Sequence, residues 1–240
     1  MPVFVLGEEI VFPPPRLALR EGILAVGGDL SPERLLRAYS EGIFPWYSDG
    51  EPIIWWSPDP RFVLFPAELK VSKTMRQVLR RKLYTITFDM SFREVITGCK
   101  DSERGRQNGT WITDEMLDAY CRLHELGYAH SVEAWSDGVL AGGLYGVSLG
   151  RCFFGESMFT VKPNASKAAF IVLTRTLGSL GFPMIDSQVY TRHLESLGAV
   201  EIRRDEYLAR LHECLGFDTF KGTWKDLSVF SPSCSDPGNI

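Results

Sequence analysis

The 240-residue chain lacks most of the features that declare a chemistry outright. Its five cysteines (Cys99, Cys121, Cys152, Cys214 and Cys234) form no CxxC pair. An odd, scattered set argues against a disulfide framework or a zinc site, and for reduced thiols in a cytoplasmic protein. His124, His130, His193 and His212 fall in no metal-ligand spacing. No metal or other cofactor is therefore expected, and His124 and His130 read as structural residues. No apolar run is long enough to span a bilayer, and the N-terminus has no basic segment followed by an apolar core and a cleavage site, so no membrane partner is expected. The net charge of −4 supplies no global basic field, so any contact with nucleic acid must come from a local patch. Internal repeats and low-complexity segments are absent as well.

What is there suits a globular protein: 45% hydrophobic and 23% charged residues, enough for one large core with a small extension. Composition divides the chain near residue 62. Residues 1–62 are short apolar pieces broken by Pro13-Pro14-Pro15 and Gly27-Gly28. They hold one clear helix, 32–41, with Ser31 as N-cap, Pro32 in the first turn and Gly42 beyond its end. Trp46, Trp55 and Trp56 lie close together among four prolines, which forbid long regular structure. Such a cluster is either the core of a small domain or a stacking surface for a flat ligand; core is the default.

Residues 63–240 read as a second, larger domain. A helix from Ser72 to about Lys82 carries Lys73, Arg76, Arg80, Arg81 and Lys82 without an acid. Lys73, Arg76 and Arg80 recur at helical spacing and share a face. The ordinary reading is a solvated surface; a polyanion would also relieve their mutual repulsion. From Tyr84 the pattern is β-α-α-β-β-β-α-β-α-β. It comprises a strand at 84–88, a short capped helix at 91–97, a polar loop ending at Trp111 and a helix at 114–126. Three hairpin-linked strands follow at 130–135, 139–148 and 151–159. Then come a long apolar helix capped by Asn164, a strand at 184–189, a short helix from Thr191, a strand at 199–202 and a helix at 205–214. The tail after Gly216 has few periodic signals.

The two strands flanking the long helix should lie parallel, with a right-handed crossover. Ligands bind beyond the carboxyl ends of such strands. That places Glu156, Asp186 and Gln188 around one crevice. On regular strands, Asp186 and Gln188 share a face, as do Phe154, Glu156 and Met158, with Phe153 opposite unless a bulge intervenes. Taken alone, the Asp186–Gln188 pair is a solvated strand end or a grip on one polar group. No Ser-His-Asp or Cys-His pair argues for a covalent intermediate.

The expected fold class is α/β (α+β): a mixed sheet with flanking helices, plus a small N-terminal domain rich in aromatics and prolines. Its element order resembles the GNAT acyltransferases. Their coenzyme A clamp, a glycine-rich loop opening the crossover helix, is missing from Met158-Phe159-Thr160-Val161-Lys162-Pro163-Asn164-Ala165. A closer resemblance is carried by Gly27-Gly28-Asp29-Leu30, Tyr39-Ser40-Glu41-Gly42-Ile43-Phe44-Pro45-Trp46, Trp55-Trp56-Ser57-Pro58-Asp59-Pro60-Arg61, Gly109-Thr110-Trp111-Ile112-Thr113, Phe154-Gly155-Glu156-Ser157-Met158-Phe159 and Ile185-Asp186-Ser187-Gln188. Together these look like the leucyl/phenylalanyl-tRNA–protein transferase family.

The resemblance implies transfer of Leu or Phe, and sometimes Met, from aminoacyl-tRNA to proteins beginning with Arg or Lys, marking them for degradation. It implies Asp186 and Gln188 as the catalytic pair, with Glu156 holding an ammonium group. Phe153, Met158 and Ile185 would line the pocket for the donor side chain, and Trp46 and Trp111 would flank the 3′-terminal adenosine. The five cations of the 73–82 helix would hold acceptor-stem phosphates. A monomer is expected. Two rivals remain at this stage: an acetyl-CoA-dependent N-acetyltransferase, which the missing loop opposes, and a non-enzymatic RNA-binding protein, which leaves Glu156, Asp186 and Gln188 unexplained.

Overall fold

The computed structural model describes residues 3–104 and 112–230; Trp111 and Cys234 lie outside them. The N-terminal part forms a four-stranded sheet from β1 (Phe4–Leu6), β2 (Ile23–Gly27), β3 (Phe44–Pro45) and β4 (Ile54–Trp56), in the order β1-β2-β4-β3. Helix α1 (Pro32–Ser40) starts as the sequence dictates, with Ser31 Oγ accepting from the Arg34 N–H and Pro32 in its first turn. Gly42 takes φ +73° after its end. A Cβ there would also meet Leu208 at 2.7 Å and Tyr207 at 2.8 Å, so glycine is required twice over.

The larger sheet has seven strands: β5 (Arg61–Leu64), β6 (Thr85–Phe88), β7 (Ala129–Ser136), β8 (Val139–Leu149), β9 (Cys152–Thr160), β10 (Met184–Asp186) and β11 (Val200–Ile202). Their order is β11-β5-β10-β9-β8-β7-β6. β9 and β10 are parallel neighbours across the crossover helix, and the remaining pairs are antiparallel. The fold is therefore α/β (α+β), with a mixed sheet and helices on both faces. β5 straddles residue 62, where composition divides the chain.

One face is covered by α3 (Phe92–Arg104), α4 (Asp114–Glu125), α7 (Arg204–Leu215) and the N-terminal sheet, around Tyr39, Trp55, Val95, Met116, Tyr120, Phe154 and Tyr207. The other is covered by α2 (Lys73–Arg80) and α5 (Ala165–Ser179), around Met75, Leu144, Phe153, Phe170, Leu173, Ile185 and Trp224. α6 (Arg192–Glu195) is a single turn between β10 and β11. No described helix is long and apolar enough to cross a membrane.

Four local expectations change. α3 runs to Arg104, not Thr97, because Cys99 and Lys100 continue the buried stripe of Val95 and Ile96 while Asp101 faces solvent. Asn164 sits at the start of α5 in the left-handed region (φ 69°), with no side-chain capping bond. The strand expected at 184–189 stops at Asp186, and Gln188 has φ +55°. The tail, which carries no periodic signal, docks Trp224 into the second core, where its indole is 1% exposed.

Candidate active site

β9 and β10 run in register as far as Asp186↔Phe154 and then part. Just beyond, β9 carries an extra residue. Tyr145 of β8 opposes Ser157 and Gly146 opposes Gly155, leaving Glu156 unpaired in a β-bulge. The two core layers require it. Phe154 and Phe159 pack on one face, and Phe153 and Met158 on the other. A spacing of five on one face needs one residue out of step with the period of two. The expectation that Phe154, Glu156 and Met158 share a face is therefore overturned, and the bulge aims Glu156 into the gap between the diverging strands.

The Glu156 carboxylate accepts two hydrogen bonds, from Tyr120 Oη at 3.0 Å and from Gln188 Nε2 at 3.2 Å. Tyr120 in turn shares a very short hydrogen bond with Tyr39 of α1. Burial pushes the Glu156 pKa up to about 7; the tyrosine hydroxyls work against this, while the nearby Asp186 charge adds to it. Burial, reinforced by the Glu156 charge, holds both tyrosines well above their usual range, so they stay neutral donors.

Asp186 is fully buried and does not face the gap. Arg61 grips it with two bonds, Nε to Oδ1 at 2.9 Å and Nη2 to Oδ2 at 2.6 Å. Tyr207 Oη donates to Oδ2 at 2.8 Å, and the Gln188 backbone N–H donates to Oδ1 at 2.9 Å. Burial opposes the Arg61 charge, but the Asp186 carboxylate more than offsets it and raises the guanidinium pKa. Phe44 and Tyr207 lie against the guanidinium at 4.8 and 4.5 Å, and its third nitrogen donates to the Gly42 carbonyl at 3.2 Å. Asp186 thus orients Gln188 through the backbone, not through the side-chain amide. The pair is brought together by a left-handed turn, not by strand alternation.

Arg61 and Tyr207 complete this network, and sequence reasoning missed both. A signal existed for Arg61: a lone cation opening the all-apolar Phe62-Val63-Leu64 strand needs a buried acid partner. Tyr207 has no such signal, because its role depends on where α7 packs.

Glu156 and Gln188 open onto a cavity of about 730 Å³. Trp46, Phe44, Leu144, Tyr145 and Met158 contribute apolar lining, and Lys167, Thr191 and His193 contribute polar lining. Trp46 is 40% exposed and packs on Trp56 at 5.6 Å, whereas Trp55 is core, so the tryptophan cluster is part core and part accessible surface. Of the residues implied for substrate, Glu156, Gln188, Trp46 and Met158 line the cavity. Phe153 and Ile185 do not: both are 0% exposed in the second core. Leu173 is likewise core, while Leu144 is wall. Trp111 lies outside the described residues. Lys73, Arg76, Arg80, Arg81 and Lys82 are exposed along and just after α2, and none lines the cavity. Among the described residues, no group of three or more His, Cys, Asp or Glu could hold a metal ion.

A GCN5-related N-acetyltransferase from Kribbella flavida overlaps 71% of this chain and 60% of its own, with 10% identity and a TM-score of 0.39. The sequence comparisons are far closer. The family profile for "Leucyl/phenylalanyl-tRNA protein transferase" matches residues 63–212, and that for its N-terminal domain matches residues 28–59. The leucyl/phenylalanyl-tRNA–protein transferase of Syntrophus aciditrophicus is 59% identical over 93% of this chain and 94% of its own. That of Myxococcus xanthus is 51% identical over 97% of this chain and 100% of its own. With both parts of the chain matched and relatives more than half identical over nearly its whole length, the chain belongs to the leucyl/phenylalanyl-tRNA–protein transferase family of aminoacyltransferases.

Proposed function

We propose that the cavity binds the 3′ end of Leu- or Phe-charged tRNA, and also Met-charged tRNA, and transfers the amino acid to proteins that begin with Arg or Lys. The new N-terminal residue then marks the protein for degradation in the cytoplasm. The observation that carries this reading is the Glu156–Gln188 pair. Because Gln188 Nε2 donates to Glu156 Oε1 at 3.2 Å, its carbonyl oxygen is turned outward as an acceptor.

The reaction is direct aminolysis. The acceptor's neutral α-amine attacks the ester carbonyl, a C–N bond forms, and the bond to the ribose 3′-oxygen breaks. The amine proton ends on that oxygen, and no covalent enzyme intermediate is needed. The Gln188 carbonyl accepts a hydrogen bond from the attacking amine and so fixes its approach. Glu156, ionised, holds the ammonium of the esterified amino acid. Asp186 touches neither substrate in this scheme. It is a positioning residue, holding Gln188 at φ +55° while Arg61 and Tyr207 hold Asp186. The donor side chain sits against Met158 and Leu144. Phe153 and Ile185 back that wall from the core, so they shape it without contact. Trp46 stacks on the terminal adenine, a contact of about 1–3 kcal/mol that ignores tRNA identity. Trp111 is assigned the same nucleoside by family resemblance alone. The exposed cations of α2 and its end track the acceptor-stem phosphates.

The direct test incubates the protein with Leu-, Phe- and Met-charged tRNA and peptides beginning with Arg, Lys or Ala. Transfer to the Arg and Lys peptides alone is expected. Equal transfer to the Ala peptide removes the acceptor assignment, and acetyl-CoA binding without transfer from tRNA restores the N-acetyltransferase reading.

A further inference from the structure

Two polar side chains of the cavity are left unused by the scheme above. Lys167, in the first turn of α5, and His193, in α6, both line it. Each is partly buried. Among the described residues no carboxylate lies within ion-pair distance of Lys167. His193 Nε2 is buried and has no hydrogen-bond partner, which costs free energy. Burial, and then the neighbouring Lys167 charge, hold the His193 pKa below its ordinary 6.5, so near neutral pH the ring is an uncharged hydrogen-bonding group beside a cation. A cation and an unsatisfied imidazole facing one cavity describe an anion site.

We infer that Lys167 and His193 bind the phosphodiester that joins the last two nucleosides of the donor tRNA, with Lys167 Nζ and a His193 ring N–H on its non-bridging oxygens. This rests on the transferase reading above and adds residues to it. The donor's chemistry fits this cavity: in the scheme above its ester is held at Glu156 and Gln188, and the 5′-phosphate of that nucleoside is one ribose away along the same chain. The acceptor is a poor candidate for the same place, since a chain beginning with Arg or Lys brings positive charge that Lys167 repels. The site also continues a path. α5 carries Lys167 on its cavity side and packs against α2, whose exposed cations wait for the phosphates that follow. The cavity is then polarised, with its acid facing amines and its cation facing RNA.

The test compares adenosine with the dinucleotide cytidylyl-(3′→5′)-adenosine by calorimetry. The dinucleotide should bind the wild type at least about tenfold more tightly, as a charge-assisted contact to a phosphate provides. Lys167→Met and His193→Phe should each shrink that ratio while leaving adenosine affinity unchanged. A dinucleotide with an uncharged methylphosphonate linkage should bind the wild type no better than adenosine does, a readout that needs no variant to fold. A ratio that survives both substitutions, or a methylphosphonate analogue that binds as well as the natural dinucleotide, overturns the site. If the wild type transfers leucine from tRNA but shows no preference for the dinucleotide, the site falls and the transferase reading stands. If it shows neither transfer nor binding, both fall.

Discussion

Asp89 and Asp186 are both buried acids at the ends of strands, and both accept backbone N–H groups, but the clusters around them face different surroundings. Asp89 accepts from the Ser131 N–H at 2.9 Å and the Trp224 N–H at 2.7 Å, and pairs with His130 Nδ1 at 2.9 Å. His130 stacks on the Trp224 indole at 3.7 Å, and burial lowers its pKa despite the acid beside it. Everything in this cluster is closed off by the docked tail. Asp186 is as deeply buried, yet its fourth bond holds Gln188, and Gln188 reaches Glu156 at the cavity. Both acids are buried and both gather several hydrogen bonds. What separates them is that only the Asp186 network ends at solvent-accessible space.

The contrast is sharpest in a pair of substitutions. Arg61→Met leaves the Asp186 carboxylate buried without its cation and should cost about 3–5 kcal/mol of stability. It should also abolish transfer in the molecules that remain folded, because Gln188 loses its anchor. Trp224→Ala should cost a similar 3–5 kcal/mol through the cavity it leaves. Transfer per folded molecule should nevertheless be unchanged. Urea unfolding, combined with assays on the folded fraction, reads both quantities. Equal losses of activity in the two variants would erase the distinction.

Glu156→Gln separates charge from packing at the open end. Transfer should fall about a hundredfold, a typical effect for a lost proton-handling or charge-binding group. In the wild type, transfer should rise with pH through about 7 as Glu156 ionises, and this limb should vanish in the variant. Stability moves the other way. The folded pKa lies above the unfolded value of 4.5, so the fold favours the protonated acid. Its contribution is full below pH 4.5 and is lost as the pH rises through about 7. Urea titrations across that window should show the decline in the wild type and not in Glu156→Gln.

The smallest effect is expected on α2. Arg76→Ala combined with Arg80→Ala should change stability by no more than about 0.5 kcal/mol, since both are exposed. The logarithmic salt dependence of KM for charged tRNA should flatten by roughly 0.7–0.9 per lost phosphate contact. Unchanged salt dependence would return this helix to an ordinary solvated surface.

Much of the fold was legible because local signals and tertiary packing agree. The caps at Ser31, Ser72, Thr113 and Thr191 all accept the expected N–H, and the three hairpin-linked strands fall within a residue or two of their expected bounds. The parallel pairing of β9 and β10 follows from the helix between them. Glu156 and Gln188 were recognisable as polar residues at the carboxyl ends of apolar strands. They do meet at the cavity, but not by strand alternation, since Gln188 is not in a strand. Arg61 was quoted within a motif without a role, and the Trp224 anchor was invisible in a tail without periodicity.

By itself the sequence determined the element order, the absence of a coenzyme A loop, the local basic helix and the polar residues at the sheet's divergence. These are properties of neighbouring residues, written in short-range spacing and composition. Only the tertiary structure decided what those residues do. A one-residue bulge turns Glu156 into the cavity. A salt bridge across 125 positions makes Asp186 a support. Packing between α5 and α6 leaves a lysine and an unsatisfied histidine on one wall. Each depends on groups far apart in the chain meeting where water is excluded, and no local pattern records which distant groups will meet.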